Sequence, residues 1–182
     1  MNFTQDWFSN NIRNFEQCML AIPEKTIFLE IGAFEGRATC WMLENTSVVS
    51  IICVDPYAQS VFDPTIDMRE VERRFWQNTT EVKKNTQIVS SFKDTSYKAL
   101  AQMISSNYKF DFIYVDGSHA PDVAMTDACM AWGLLKKNGV MLFDDYQYPH
   151  EKTKAGIDAF LDGFEGQYGL ILSNYQLAIQ KK

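Results

Sequence analysis

The sequence predicts an α/β fold in which a doubly wound, mostly parallel sheet of seven strands carries helices on both faces. Short apolar strands alternate with amphipathic helices along all 182 residues, a pattern typical of parallel strands joined by helices. One segment, SVVSIICVD, is β-branched and almost wholly apolar, as expected of a strand buried on both faces. No internal repeat or linker interrupts the pattern, so residues 1–182 are expected to form a single domain.

The first half of the chain supplies a leading helix and the first three strands. Aromatic and aliphatic residues recur at helical spacing through residues 3–21, and Pro23 follows them, which predicts an N-terminal helix within residues 1–22. The charged stretch MREVERRFWQNTTEVKK carries an apolar stripe and predicts a surface helix. In order, the expected strands cover residues 26–31, 47–55 and 87–92, and the expected helices cover residues 37–45 and 68–84.

The second half alternates in the same way and ends in two short strands. FDFIYVD and VMLFD are apolar runs of strand length, and the second is entered through Asn138 and Gly139. Ligands of such sheets bind outside the carboxyl ends of the strands, so functional residues are expected just after each strand. The expected strands cover residues 110–116, 140–144, 169–173 and 175–180, and the expected helices cover residues 95–105, 121–135 and 152–164.

Composition and charge narrow the class of protein. The chain is 46% hydrophobic and has a net charge of −6 without a block of Lys and Arg, which argues against a general nucleic-acid binder. Its four cysteines lack zinc-ligand spacing, which fits a reducing compartment. No apolar run reaches the roughly 20 residues that cross a bilayer, and the opening MNFTQDWF lacks the features of a secretion signal. We therefore expect a cytoplasmic protein without membrane contact.

Two glycines and an acidic residue mark the turn after the first strand. Gly32 and Gly36 stand four residues apart between a strand and a helix, where glycine allows a sharp turn and a close approach of a ligand. A dinucleotide site usually has a third glycine. A sulfonium cofactor without phosphate is easier to reconcile with the nearby acids Glu30 and Glu35. The alternative is that the glycines serve only a tight turn.

The ends of the second and third strands offer candidates for binding a nucleoside. Asp55 follows the second strand, where a carboxylate can accept hydrogen bonds from both ribose hydroxyls. The alternative role is a turn cap before Pro56. Ser91, at the end of the third strand, is a candidate contact for an adenine ring, although serine is also common where loops begin.

Three carboxylates follow the fourth and fifth strands. Asp116, Asp144 and Asp145 should converge at one edge, where unpaired like charges raise each other's pKa and a divalent cation such as Mg²⁺ relieves the repulsion. The alternative is that one of the paired aspartates caps a turn. His119 stands three residues after Asp116 and is a candidate general base, with a loop or capping role as its alternative. His150 is an ordinary loop residue or part of the substrate rim.

These segments together resemble class I S-adenosylmethionine-dependent methyltransferases, and more narrowly the small methyltransferase-domain group that includes macrocin-type O-methyltransferases. The matching segments are FLEIGAFEG, ICVDPY, FDFIYVDGSHAPDVAMTD, LLKKNGVMLFDDY and KAGIDAFL. The resemblance implies S-adenosylmethionine as cofactor and a divalent metal held by Asp116, Asp144 and Asp145. Catechol-type relatives have Asn at the third of these positions. The N-terminal region lacks the extended lid of the macrocin-type enzymes, which leaves the substrate class open.

The expected reaction is methyl transfer to a hydroxyl of a small molecule, with Asp116 serving the cofactor, the metal and catalysis. Two alternatives stay open: a module that binds the cofactor without catalysis, and a nicotinamide-dependent oxidoreductase on the same fold. A metal-dependent hydrolase would leave Glu30 and Asp55 without a role. The aromatic leading helix offers a surface for a homodimer. Four aromatic residues are candidates for lining a pocket, with core packing as the alternative: Phe62, Trp76, Tyr146 and Tyr148.

Overall fold

The computed structural model is built around one seven-stranded sheet, and it describes residues 1–22, 26–58, 63–148 and 152–182. The strands are β1 (Ile27–Ile31), β2 (Ser50–Val54), β3 (Ile88–Phe92), β4 (Phe110–Val115), β5 (Leu135–Phe143), β6 (Tyr168–Ser173) and β7 (Leu177–Lys181). The helices are α1 (Ile12–Ala21), α2 (Arg37–Asn45), α3 (Met68–Val82), α4 (Ser96–Ser105), α5 (Pro121–Leu134) and α6 (Thr153–Gly163).

The sheet has the order β3-β2-β1-β4-β5-β7-β6, which confirms the doubly wound prediction. The first five strands in this order pair in parallel, and β7 pairs antiparallel with both β5 and β6. The strand order reverses between β1 and β4, because the chain moves outward from β1 to β3 and then returns to the other side of β1. A ligand crevice is expected outside the carboxyl ends of these two central strands.

Each face of the sheet has its own hydrophobic core. Successive strand residues point to opposite faces, so Phe28 joins one core while Leu29 and Ile31 join the other. Helices α1, α2 and α3 cover the first core, and α4, α5 and α6 cover the second. Their buried anchors, in that order, are Phe15, Met42, Phe75, Leu100, Trp132 and Phe160. Among the helices in the described part of the chain, none is both long and apolar enough for a membrane crossing.

The N-terminal helix begins later than the sequence predicts. A 3-10 turn occupies Ser9–Asn11 and precedes α1, while residues 1–8 are not helical. The Glu35 carboxylate accepts hydrogen bonds from both the backbone N–H and the hydroxyl of Thr4, at 2.6 and 2.8 Å. Contacts with distant parts of the chain therefore replace the helical hydrogen bonds that the spacing of apolar residues favours.

Strand β5 is longer than the sequence predicts. It begins at Leu135 and not at Val140. Leu135 pairs with Phe110, and an irregularity in the register separates this pair from the pair of Phe112 and Val140. Asn138 and Gly139 are therefore inside the strand. Asn138 has a φ of 63°, so the backbone bends at this point without ending the pairing. A turn signal in the sequence thus marks a bulge here.

The turn after β1 depends on Gly32. Its φ is +88°, and a Cβ placed on it would lie 1.8 Å from the carbonyl oxygen of Asp116. The chain's own backbone, at the end of β4, fills the space where a side chain would be. Gly36 has a φ of +78°, and a Cβ there would lie 2.8 Å from the ring of Phe75. Tight packing within the protein therefore accounts for both glycines.

We expect Gly32→Ala to destabilise the protein by more than about 3 kcal/mol, since it adds both a backbone clash and a strained φ. Gly133→Ala is the matched control, because no atom of the described residues outside its own turn of α5 lies within 4 Å of a Cβ at this position. The control should stabilise the protein by about 0.5–1 kcal/mol. Urea unfolding measures both changes, and equal effects of the two substitutions would contradict the packing described here.

Candidate active site at the carboxyl ends of the strands

The described residues form two cavities at the carboxyl edge of the sheet, and Asp116 lines both of them. The larger cavity lies between the loop after β1 and the N-terminal segment, with Glu30, Phe34, Arg37 and Tyr114 among its walls. The smaller cavity lies between the loops after β4 and β5. Its polar lining consists of Asp116, Ser118, His119, Asp144, Asp145 and Thr153.

Glu30 is a buried acid in the wall of the larger cavity. It lies in β1 between Cys53 of β2 and Tyr114 of β4, and its side chain is 1% exposed. The hydroxyl of Thr39 donates a hydrogen bond to its carboxylate. Burial raises the pKa of Glu30 to about 8, although hydrogen bonds from Thr39 and Cys53 act in the opposite direction. A cationic ligand in this cavity would favour the charged form of Glu30.

Asp55 fastens the loop after β1 to the end of β2. One carboxylate oxygen accepts a hydrogen bond from the backbone N–H of Phe34 at 2.9 Å, and the other accepts one from Tyr57 at 2.8 Å. Burial raises the pKa of Asp55, and the backbone donors oppose that effect. Each carboxylate oxygen can accept a second hydrogen bond, so the ribose role expected from the sequence stays a prediction. Ser91 lies within β3, opposite Cys53, and its adenine contact is also untested.

Tyr114 joins two of the aspartates expected at the metal site. Its hydroxyl lies 2.9 Å from an oxygen of Asp116 and 2.7 Å from an oxygen of Asp144. The single hydroxyl proton cannot be donated fully to both carboxylates. Burial raises the pKa of Asp116 well above its usual value, and the charges of Asp144 and Asp145 add to that effect. Burial and the charge of Asp145 also raise the pKa of Asp144. Positive charge is therefore favoured at this edge.

The adjacent aspartates Asp144 and Asp145 have different surroundings. Asp145 has a φ of 52°, so the chain has already turned after β5. Asp144 accepts a hydrogen bond from the Gln176 side chain at 2.9 Å, in addition to its contact with Tyr114. Asp145 lies 2.9 Å from His119 Nε2 and accepts a hydrogen bond from the Tyr175 hydroxyl. Although burial acts to raise the pKa of Asp145, these two donors hold it below its ordinary value.

Within the described part of the chain, the group best arranged for a metal consists of Asp116, His119 and Asp145. One potential ligand atom from each lies within 4.8 Å of the others. Two carboxylate oxygens and an imidazole nitrogen are a donor set suited to a divalent transition-metal cation such as Mn²⁺. Asp144, which the resemblance adds to the ligands, is engaged by Tyr114 and Gln176 instead. The ligand set expected from the sequence therefore stays a prediction, with His119 as a further member.

Sequence reasoning missed the side chains that hold these acids. Tyr114 looks like one more apolar strand residue, and its position before the DGSH segment is the only available signal. Tyr175 and Gln176 come from the connection between β6 and β7, where no sequence pattern links them to Asp144 and Asp145.

The aromatic candidates for the pocket have mixed outcomes. Tyr146 is part of the core, and its hydroxyl donates a hydrogen bond to Asp158 at 2.8 Å. Trp76 is 40% exposed and packs against Phe75 in α3. Tyr148 lies near Tyr175, with 6.3 Å between their ring centres. Phe62 and His150 lie outside the described residues.

Comparison with known proteins identifies the family. The family model described as a methyltransferase domain matches residues 29–146, well over half of the chain, including the end of β1 and the acids that follow β4 and β5. The chain belongs to this family. It is a class I S-adenosylmethionine-dependent methyltransferase, as the sequence predicts.

Solved structures support the fold of this methyltransferase. An O-methyltransferase from Bacillus cereus, in complex with SAH, matches 98% of the chain and 84% of its own length, with a TM-score of 0.68 at 16% identity. The O-methyltransferase NovP matches 94% of the chain and 79% of its own length, with a TM-score of 0.67 at 14% identity. A putative rRNA methylase from Clostridium thermocellum matches 98% of the chain and 100% of its own length, with a TM-score of 0.69 at 11% identity.

A curated relative is also similar over part of the chain. Uncharacterized protein R132 of Acanthamoeba polyphaga mimivirus is 25% identical over 122 residues, which cover 66% of the methyltransferase chain and 51% of R132. The chain thus spans about half the length of this curated relative.

We expect Glu30→Gln to stabilise the ligand-free methyltransferase by about 3 kcal/mol more at pH 8 than at pH 5. Because the pKa of Glu30 is raised from 4.5 to about 8, the folded chain retains a proton that the unfolded chain has released. Folding stability due to this group is therefore lost as pH rises through that window, and glutamine avoids the loss. Urea unfolding at pH 5 and pH 8 measures the free energy of unfolding of both proteins. Glu16→Gln, an exposed site in α1, is the control, and equal effects of Glu30→Gln at both pH values would refute the assignment.

Proposed function

We propose that this methyltransferase transfers the methyl group of S-adenosylmethionine to a hydroxyl oxygen of a small molecule, assisted by a divalent cation. The observation that carries the proposal is the position of Asp116, which lines both cavities. Asp116 is thus adjacent to the space beside Glu30 and to the group formed with His119 and Asp145. A cofactor in the larger cavity and a cation held by Asp116, His119 and Asp145 would meet at this carboxylate.

The larger cavity is suited to the cofactor because its walls combine a glycine turn with acids. Glu30 and Asp116 line this cavity and would face the sulfonium and ammonium groups, and Asp55, which binds the loop after β1, would accept hydrogen bonds from the ribose. Gly32 brings the loop after β1 directly against Asp116. This packing fixes the turn after β1 at the wall of the cavity, beside Asp116. The residues present therefore fit a cationic nucleoside cofactor.

Methyl transfer needs the acceptor oxygen in line with the methyl group and the sulfur, and correct positioning supplies much of the rate. Asp116, His119 and Asp145 would hold the cation, which lowers the pKa of a bound hydroxyl when it is present. Tyr114 fixes Asp116, and Tyr175 fixes Asp145. The His119 imidazole, which lies beside Asp145, can serve as a ligand of the cation or as the base that accepts the hydroxyl proton.

O-methylation of a small molecule is supported by the acidic, recessed site and by the absence of any Lys/Arg block in the sequence. The fold itself does not decide the acceptor, since O-methyltransferases and rRNA methylases both share it. A phosphate backbone would meet the carboxylates of Asp116, Asp144 and Asp145 at this edge. Electrostatic repulsion therefore favours an uncharged or cationic hydroxylated acceptor over nucleic acid.

Binding of the cofactor product should separate the transferase from an oxidoreductase. We expect S-adenosylhomocysteine to raise the melting temperature in a thermal-shift assay, while NADH leaves it unchanged, because the turn after β1 lacks the three glycines that cradle a pyrophosphate. Stabilisation by NADH alone would favour the oxidoreductase. Product binding without transfer to phenols, sugars or polyketides would favour the non-catalytic module.

The cation can be tested at its ligands. Asp116→Asn and Asp145→Asn should each weaken Mn²⁺ binding at least tenfold by calorimetry, because each removes a charged ligand. Asp122→Asn, at an exposed position in α5, is the control with the same change in charge and should bind Mn²⁺ normally. EDTA should suppress methyl transfer, and Mg²⁺ should restore it. Transfer untouched by EDTA would remove the cation from the reaction while the transferase assignment stands.

A further inference from the structure

The N-terminal segment, residues 1–8, forms part of the wall of the larger cavity. Phe3, Gln5, Trp7 and Phe8 line this cavity together with residues of the loop after β1. Trp7 packs against Phe34 of that loop, with ring centres 5.0 Å apart. The segment is therefore adjacent to the space in which we place the cofactor, and its side chains contribute to that site.

Arg37 holds this segment in place. It is the first residue of α2, and its guanidinium lies 2.9 Å from an oxygen of Asp6. The same side chain donates a hydrogen bond to the Ser9 hydroxyl at 3.1 Å and lies 5.0 Å from the centre of the Phe3 ring. The Asp6–Arg37 pair is partly exposed, with 50% and 32% of the two side chains accessible. A ligand arriving from solvent can therefore reach the guanidinium.

The charges around the larger cavity are unequal. Among the described residues that line it, Arg37 is the one Lys or Arg, whereas Glu30, Glu35 and Asp116 are acids. S-adenosylmethionine carries two cationic groups, the sulfonium and the ammonium, and one carboxylate. The acids match the cationic groups, so the carboxylate requires a different partner. A guanidinium at a helix N-terminus is well suited to it, because both the fork of N–H donors and the helix dipole favour an anion.

We propose that Arg37 binds the carboxylate at the amino-acid end of the cofactor, and that Asp6 occupies this position when the cofactor is absent. This inference rests on the proposed assignment of S-adenosylmethionine to the larger cavity. Binding then exchanges one carboxylate for another on the same guanidinium, and the N-terminal segment must release Asp6 from Arg37. The intramolecular carboxylate lowers the apparent affinity for the cofactor, since the two anions compete.

The competition can be measured with two ligands that differ at the amino-acid end. S-adenosylhomocysteine has the carboxylate, and 5′-methylthioadenosine lacks the amino-acid end while retaining the nucleoside and the sulfur. Arg37→Gln should weaken S-adenosylhomocysteine binding about ten- to a hundredfold by calorimetry, because a charge-assisted hydrogen bond is lost. Binding of 5′-methylthioadenosine should change less than about twofold. Asp6→Asn should tighten S-adenosylhomocysteine binding about threefold or more and leave 5′-methylthioadenosine unchanged, since a neutral amide competes less well than a carboxylate.

Matched variants control for charge and folding. Arg13→Gln changes the net charge as Arg37→Gln does, and Glu16→Gln changes it as Asp6→Asn does. Both positions are exposed in α1, so neither control should change the affinity for either ligand. Arg37→Lys keeps the charge but loses the planar fork, so its loss should be smaller than that of Arg37→Gln. Circular dichroism checks that each variant is folded, and Arg37→Lys serves as the test if Arg37→Gln does not fold.

The possible failures point to different errors. Equal losses for both ligands in Arg37→Gln would mean that Arg37 acts only through the N-terminal segment, which overturns the proposal. Weaker S-adenosylhomocysteine binding in Asp6→Asn would overturn the competition. If the unaltered protein binds neither ligand, the cofactor assignment itself is wrong, and the inference falls with it.

Discussion

The close approach of buried carboxylates at the carboxyl ends of β1, β4 and β5 is the constraint on which the rest of the site depends. Asp116 and Asp144 share the hydroxyl of Tyr114, and burial raises the pKa of both acids. Donors from β4 and from the β6–β7 connection offset part of the repulsion, but they bring no positive charge. This edge is therefore electrostatically unfavourable without a ligand and favours cationic partners, which is the property that a sulfonium cofactor and a metal require.

The turn after β1 links this charge to the fold. Gly32 lets the turn approach the backbone of Asp116, and Asp55 fixes the same turn through the N–H of Phe34. Asp55 and Asp116, which follow β2 and β4, are thus held against the turn after β1 by backbone contacts. These contacts leave the two acids little freedom to change position. A site fixed in this way already has its binding groups in place before a ligand arrives. It can therefore hold bound reactants in a defined orientation, which is the condition for catalysis by positioning.

The N-terminal segment, residues 1–8, adds polar and aromatic side chains to the wall of the larger cavity. Thr4 is bound to Glu35, and Asp6 to Arg37, so the segment covers an otherwise acidic cavity with both polar and aromatic contacts. The Asp6–Arg37 ion pair is partly exposed, and such pairs individually contribute little free energy. A ligand that binds Arg37 better can therefore displace Asp6, whereas Phe8 of the same segment stays packed in the first hydrophobic core.

The sequence by itself determined the fold class, the order of strands and helices, the methyltransferase family and the positions of the acids, because apolar periodicity and strand-end motifs are local signals. It could not determine that residues 3–8 leave the helix, since the contacts of Thr4 and Asp6 involve residues about 30 positions away. It also could not separate Asp144 from Asp145. Only the tertiary structure decided that Asp144 meets Tyr114 and Gln176 while Asp145 meets His119 and Tyr175, because a left-handed backbone turn and a distant strand connection set those partners.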